Sequence, residues 1–490
     1  MESKADPIRS ILISLCALLA TAALLFFGTG LHPVWWLTWV APLPVLLMAS
    51  RARALPAFGI ATVSWFVGGL NMWRFLVGLL HINAAMVVLF LGATACVFGL
   101  VVLAHRTFVR RGACWLAALS VPAIWVTFEY VISVVSPHGT FGNISYSQMD
   151  CLPVLQIASV TGVWGISFCV FLFPAAVSAT LSRRRNSAQN NRLAIATAGF
   201  LALIVLFGFW RLNSGARDGQ SITVALMASD VPANVFPESD ACTLQLLHNY
   251  AEQLERFLND STGNRASIGD LVVVLPEKIG VISDQSTGEI DSLFQSTSHA
   301  ANATIVVGID RGTQTQRFNE ARVYSPRGEL SATYQKHHLI PGFEDVDQPG
   351  SARTLIDQPT GAWGVEICKD LDFPLLGREY GNDGVALLIV PAWDFVLDGW
   401  LHDRMAVMRG VESGFTLLRA AKQGLLTVSD NRGRVLAQAN SATAPFSFLI
   451  AKAPAQHVDT FYARWGDWFA WLNMALLLTM LANSLIKSKR

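Results

Sequence analysis

Charge is what this sequence has least of. Only 14% of its 490 residues are Asp, Glu, Lys or Arg, against 52% that are hydrophobic; soluble domains carry about 25% charged residues. The deficit argues against an ordinary soluble protein and for a membrane one. Nor is one sign of charge in excess. With a net charge of +1, no basic stripe and no RNA-binding motif, nucleic acid is not expected as a partner. Cysteine patterns of the metal-binding or redox kind are missing too. Cys16, Cys96, Cys114, Cys151, Cys169, Cys242 and Cys368 form no CxxC and no Cys/His spacing, so no metal and no other cofactor is expected. At least four of them lie in apolar runs, where a thiol packs as a small hydrophobe. A Cys151–Cys242 disulfide stands only as a minor alternative. No lipobox cysteine is present, and the first apolar run is expected to stay as a span, not to be cleaved as a leader.

What the chain has in abundance is apolar runs near the ~20 residues that cross a bilayer. Seven precede residue 213, at 10–29, 34–50, 55–80, 85–104, 113–135, 156–181 and 193–210, and an eighth covers 467–486. Basic residues mark every other connection: Lys4 and Arg9, Arg51 and Arg53, Arg106, Arg110 and Arg111, Arg183 to Arg185, and Lys487, Lys489 and Arg490. The intervening connections, 30–33, 81–84 and 136–155, hold no Lys or Arg. By the positive-inside rule both termini then face the cytoplasm, and seven spans put residues 218–462 outside. The expected organisation is a membrane domain (1–217), an external domain (218–462) and a last span (463–490). Arg74 and Glu129 fall inside spans, where charges are costly and face a partner or a wet cavity. They read either as a structural ion pair, with Arg74 alternatively snorkelling outward, or as a polar pocket for a lipid headgroup.

Residues 218–462 alternate between strand and helix patterns. ITVALMA (222–228), LVVVLPE (271–277), ATIVVGI (303–309), WGVEIC (363–368) and VALLIVP (385–391) read as buried strands. Helical spacing falls at 243–258, 292–302 and 402–415. The stretch 415–438 reads as paired strands around an Asp-Asn-Arg-Gly turn. The fold class expected is a polytopic helical membrane domain of about eight spans plus a layered α/β domain.

Glu277, Lys336 and Cys368 stand at strand ends or just beyond, where a rigid sheet tends to place catalytic groups. A carboxylate can take a thiol proton, a thiolate can attack an acyl carbon, and an ammonium can hold the resulting oxyanion. Each signal has a plain structural reading: a packed thiol, a glutamate at a helix entry, a solvated loop lysine. His337 and His338 raise the thought of a metal, but two adjacent histidines do not easily face one ion.

The order and contexts of the three resemble the nitrilase superfamily, whose members use a Glu–Lys–Cys triad on an αββα sandwich. LPEKI points to Glu277; YQKHHLIPGFED to Lys336, with Glu344 as a supporting acid; EICKDLDFP to Cys368. MAVMRGVESGFTLLRAAKQG is similar to the family's helix–strand segment, implying that Arg409, Glu412 and Arg419 form structural bridges. Eight spans, together with WVTFEYVISVVSPHGTFGNISYSQMDCLPVLQIASVTGVWGISF and YARWGDW, resemble the membrane branch, the apolipoprotein N-acyltransferases. The resemblance implies transfer of a fatty acyl chain from a phospholipid, through a Cys368 thioester, to the α-amine of a diacylglyceryl-cysteine. It also implies a bacterial inner-membrane setting with the catalytic domain in the periplasm, and a monomer is the expected state. The match departs at Lys369 and Asp370, where an aromatic and Glu are usual. It departs also at ALMASDVPANVFPESD, at PAWDF (391–395), which keeps Trp393, and at Lys422. These departures leave two alternatives: a membrane-anchored amidase or acyltransferase with another donor or acceptor, and a paralogue that binds lipid or lipoprotein without turnover.

Overall fold

The computed structural model describes residues 7–181, 187–214, 220–229, 240–262, 271–313, 315–443 and 445–488. Lys4, Arg183 to Arg185, Lys489, Arg490 and the 230–239 part of the first-strand segment lie outside them. The chain divides into two units. One is Met1–Val135, Thr140–Ser214 and Trp465–Arg490, and the other is Ser136–Gly139 and Gly215–Arg464.

The first unit is helical. Among the described residues, six helices are long and apolar enough to cross a membrane: α1 (Pro7–Gly28), α2 (Ala54–Gly69), α3 (Ala84–Arg111), α4 (Cys114–Val135), α5 (Val163–Leu181) and α6 (Ser187–Asn213). Shorter apolar helical stretches fall at Leu37–Ala49, Leu152–Thr161 and Trp468–Asn483. Three of the expected runs are therefore not single long helices along their whole length. Run 34–50 breaks into Leu37–Val40 and Leu43–Ala49 at Pro42 and Pro44, because proline lacks the N–H that a helix interior needs. Run 156–181 starts its long helix only after Gly162, whose φ of 65° ends the preceding turn; that conformation favours glycine. The third run leaves its α-helix for a 3-10 turn at Leu70–Met72 and a wider turn at Arg74–Leu79. An aromatic knot ties four helices together, with ring centroids 4.3 Å apart for Trp65–Trp125, 4.7 Å for Trp65–Phe98 and 4.9 Å for Trp125–Phe171. The structure joins none of the seven cysteines, Cys151 and Cys242 included, in a disulfide.

The second unit is a four-layer αββα sandwich. Its strands are β1 (Ser221–Ala228), β2 (Leu271–Val274), β3 (Val281–Ser283), β4 (Ala303–Gly312), β5 (Arg317–Tyr324), β6 (Leu330–Gln335), β7 (Thr354–Ile356), β8 (Trp363–Val365), β9 (Leu387–Trp393), β10 (Thr416–Lys422), β11 (Leu425–Ser429), β12 (Val435–Asn440) and β13 (Ser447–Pro454). One sheet runs β13-β1-β2-β4-β5-β6 with β3 beside β4, and the other β12-β11-β10-β9-β8-β7. Parallel pairing at the centres, β1–β2–β4 and β8–β9–β10, explains why these strands read as unbroken apolar runs: both faces are covered. Helices α7 (Asp240–Thr262) and α8 (Asp284–Ala301) cover the first sheet, and α9 (Pro374–Asn382) and α10 (Gly399–Ser413) the second. Leu247, Ile290 and Phe294 pack fully buried against Val273 and Ile305, each contributing about 1.5–3 kcal/mol by burial. The segment 415–438 is three strands, not two. A Gln423–Gly424 turn separates β10 from β11 before the Asp-Asn-Arg-Gly turn leads to β12. Gln423 sits there at φ 53°, a position the sequence does not mark with Asn or Gly.

Candidate active site

Three strand ends meet around one ammonium. Lys336 follows β6, is fully buried, and holds its backbone by donating to the Asn319 carbonyl at 2.9 Å. Its Nζ donates to Glu277 Oε1 at 2.8 Å and to Glu344 Oε2 at 2.9 Å. Burial by itself would lower the lysine's pKa. The two carboxylates, then Cys368, reverse this and leave it well above the ordinary value. Glu277 lies in the turn after β2 with its N–H on the Ala392 carbonyl, 3.2 Å away, so the first sheet's acid is tied to the second sheet's β9. Asn319, midway along β5, bridges the acids: its one amide nitrogen lies 2.6 Å from Glu277 Oε1 and 2.7 Å from Glu344 Oε1. Burial would raise Glu344, but Lys336 and then Lys278 bring it down to about 2.

Cys368 follows β8 and opens a short 3-10 turn, Cys368–Asp372, at φ 45°. A left-handed, non-glycine residue at that point is strained and turns the thiol out of the strand direction. Its Sγ lies 3.4 Å from the Trp393 carbonyl, on which the thiol hydrogen can rest. Burial, then the charge of Glu277, pushes the thiol well above its ordinary pKa, and Lys336 offsets only part of this. A thiol so placed rests protonated and needs a base to become a nucleophile.

Asp370 joins the lysine loop to the cysteine turn. Its Oδ2 accepts from Tyr334 Oη at 2.8 Å and from the Ile367 N–H at 3.2 Å. Its Oδ1 accepts from the N–H groups of His337 and His338 at 3.1 and 2.8 Å. Both histidines thus meet Asp370 through the backbone, and the His338 ring does so as well, its Nδ1 3.1 Å from Oδ1 while it stacks on Phe373 at 3.7 Å. Among the described residues no group of three or more His, Cys, Asp or Glu could hold a metal ion. Lys369 does not reach solvent. It is buried, 3.4 Å from Asp372 Oδ2 and 3.2 Å from His138 Nδ1. Trp393 closes β9, donates from Nε1 to Gln423 at 2.9 Å, and carries the Lys422 ammonium 3.9 Å above its ring. Arg419–Asp394 and Arg409–Glu412 are buried ion pairs behind the site.

Other residues at the site were not marked by the sequence. Asn319 and Lys278 are two, and Glu366 is a third. Glu366 is fully buried two residues before Cys368, with no hydrogen bond to either carboxyl oxygen among the described residues; burial and then Asp370 push it well above the usual carboxylate range. The only available signal was a polar residue within, or at the end of, an otherwise buried strand. Phe343, Val346 and Val396 are exposed apolar side chains on the segments that follow Lys336 and Trp393.

In the helical unit, Glu129 is buried and its Oε1 accepts from the Ile144 N–H at 2.8 Å. Arg74 is exposed at the start of its turn, and no ion pair among the described residues joins it to Glu129.

Comparison with known proteins covers both units. Residues 17–176 match the apolipoprotein N-acyltransferase N-terminal domain, and residues 247–454 match the carbon-nitrogen hydrolase domain. The chain is 25% identical to the apolipoprotein N-acyltransferase of Geobacter metallireducens, over 92% of this chain and 91% of that one. It is 22% identical to the enzyme of the same name from Nitrosomonas europaea, over 91% and 93%. Among solved structures it is similar to Saccharomyces cerevisiae Nit3, of the nitrilase superfamily, with a TM-score of 0.41, 21% identity, and 48% of this chain and 90% of that chain covered.

Proposed function

The chain belongs to the apolipoprotein N-acyltransferases, the membrane branch of the nitrilase superfamily, and from that membership we propose how it works. It moves a fatty acyl chain from a membrane phospholipid to the N-terminal α-amine of a diacylglyceryl-cysteine lipoprotein, in two half-reactions at Cys368. Glu277 takes the Sγ proton as the sulfur attacks the ester carbonyl. The carbonyl oxygen becomes an oxyanion beside the Lys336 ammonium. Collapse of that intermediate breaks the ester C–O bond, the lysophospholipid leaves with the proton from Glu277, and a thioester remains. The lipoprotein amine then attacks the thioester, Glu277 relays the amine's proton to the departing sulfur, and an amide is released. No cofactor enters the balance.

The observation that carries this reading is the buried Lys336 ammonium 2.8 Å from Glu277, with the Cys368 thiol under the electrostatic influence of both. A pre-formed charge in a dry site is worth more than one in water and needs no reorganisation as the oxyanion develops. Excluding water also protects the thioester from hydrolysis. Anchorage in lipid keeps both acyl donor and acceptor beside the sulfur. Basic connections support cytoplasmic termini and a periplasmic catalytic domain in the bacterial inner membrane, with a single chain as the working unit.

Mass spectrometry of lipoprotein N-termini tests the reading, in cells where this chain is the only enzyme of its kind. N-acylated termini are expected; free α-amines would contradict it.

A further inference from the structure

The geometry points to Lys278 as a positioning residue for the Glu277–Lys336–Cys368 centre, acting through Glu344. The inference rests on the reading of those three residues given above. Lys278 directly follows Glu277 at φ 47°, a left-handed backbone that a lysine adopts only when its surroundings hold it there. Two contacts do so. Its carbonyl accepts from Lys422 Nζ at 2.7 Å, and Lys422 is itself seated on the Trp393 ring. Its own Nζ lies 2.6 Å from Asp347 Oδ2, 3.0 Å from Glu344 Oε1 and 3.4 Å from Asp310 Oδ2.

The consequence falls on Glu344. Its Oε1 is taken by Lys278 and Asn319, and its Oε2 by Lys336 and the Ile340 N–H at 2.8 Å. Without Lys278, two buried carboxylates, Glu277 and Glu344, would share the single Lys336 ammonium, and such pairs bind a proton more readily than either acid alone. A proton captured there removes the base that the thiol needs. Lys278 thus meets Glu344 with a second cation, so that proton capture by that acid sets in at lower pH and the Lys336 ammonium is left to Glu277. The other charges facing this group are Asp310 and Asp347, both also paired to Arg317, at 2.6 and 3.6 Å.

The test is the pH dependence of iodoacetamide alkylation at Cys368, read by peptide mass on the full chain in phospholipid membranes. Lys278→Met is expected to move the acid limb of the rate up by about one pH unit or more, the size that a charge within about 4–6 Å gives a carboxyl. The rate then falls roughly tenfold on the acid side. Lys278→Arg should restore the limb. Asp347→Asn, which frees the lysine's charge for Glu344, should shift it the other way. A purely packing role would lower the reactive fraction equally at every pH and leave the limb in place, and that result overturns the inference. Should Lys278→Met not fold, the Arg and Asp347→Asn variants decide: limbs identical to wild type in Asp347→Asn, or displaced upward in both, overturn it. Alkylation needs no acyl donor. A wild-type chain that alkylates in this way but never carries a fatty acyl group would sink the transferase reading and leave Lys278 standing.

Discussion

Replacing Lys336 by Met should slow formation of the fatty-acyl adduct by roughly a hundred- to a thousandfold or more, the cost of losing an oxyanion donor. The same change should lower stability by about 3–5 kcal/mol, because it leaves buried carboxylates without their counter-charge. The two effects share one cause. Lys336 is fully buried and contacts both Glu277 and Glu344, so its removal takes away the oxyanion's partner and breaks a buried charge network together. Lys278 and Asn319 remain on Glu344, which keeps the loss toward the lower end of that range. Single-turnover intact-mass kinetics and thermal unfolding of the membrane-embedded protein measure the two separately. A Lys336→Met protein that acylates at the wild-type rate would remove the lysine from the chemistry.

Asp370→Ala is expected to have the largest effect on stability of any change outside Glu277, Lys336 and Cys368. Asp370 is fully buried and accepts from Tyr334, Ile367, His337 and His338. Truncation strands those donors, and each unsatisfied buried group costs about 1–3 kcal/mol. A loss of about 4 kcal/mol or more follows, placing the variant among the exceptional ones. Activity should fall with it, because Asp370 is what fixes the lysine loop against the turn that carries Cys368. Asp370→Glu restores the residue usual in the family but adds a methylene to a filled space, so about 1–3 kcal/mol is still lost. Chemical denaturation compares the three proteins directly. Equal midpoints for Asp370→Ala and wild type would show that the loop is held by other contacts.

Glu277, Lys336 and Cys368 stood out as candidates because each ends or follows a strand whose apolar run is unmistakable: LVVVLPE, the segment up to YQK, and WGVEIC. Most of the spans were legible for the same reason of composition. The second run misled because its apolar count is high, whereas Pro42 and Pro44, both visible in the sequence, break it into short helices. What stayed hidden depends on contacts between residues far apart in the chain. Asn319 bridges Glu277 and Glu344 from 42 and 25 positions away, and nothing in RFNEARVY announces this. Lys369 directly follows the thiol in sequence, yet its ammonium is met by Asp372 and by His138, which is 231 residues distant. The paired histidines are met by Asp370 at both backbone N–H groups and at the His338 ring, contacts that nothing in YQKHHLIP announces. Charged residues near a nucleophile reveal which chemistry is present; only the packing reveals which of them face it.

The most direct measurement is the intact mass of the chain purified from phospholipid membranes, before and after hydroxylamine, which cleaves thioesters. The account predicts an added fatty-acyl mass that hydroxylamine removes and that is absent from Cys368→Ala. An acyl adduct that survives in Cys368→Ala, or a folded wild-type chain that never acquires one from phospholipid, would contradict it.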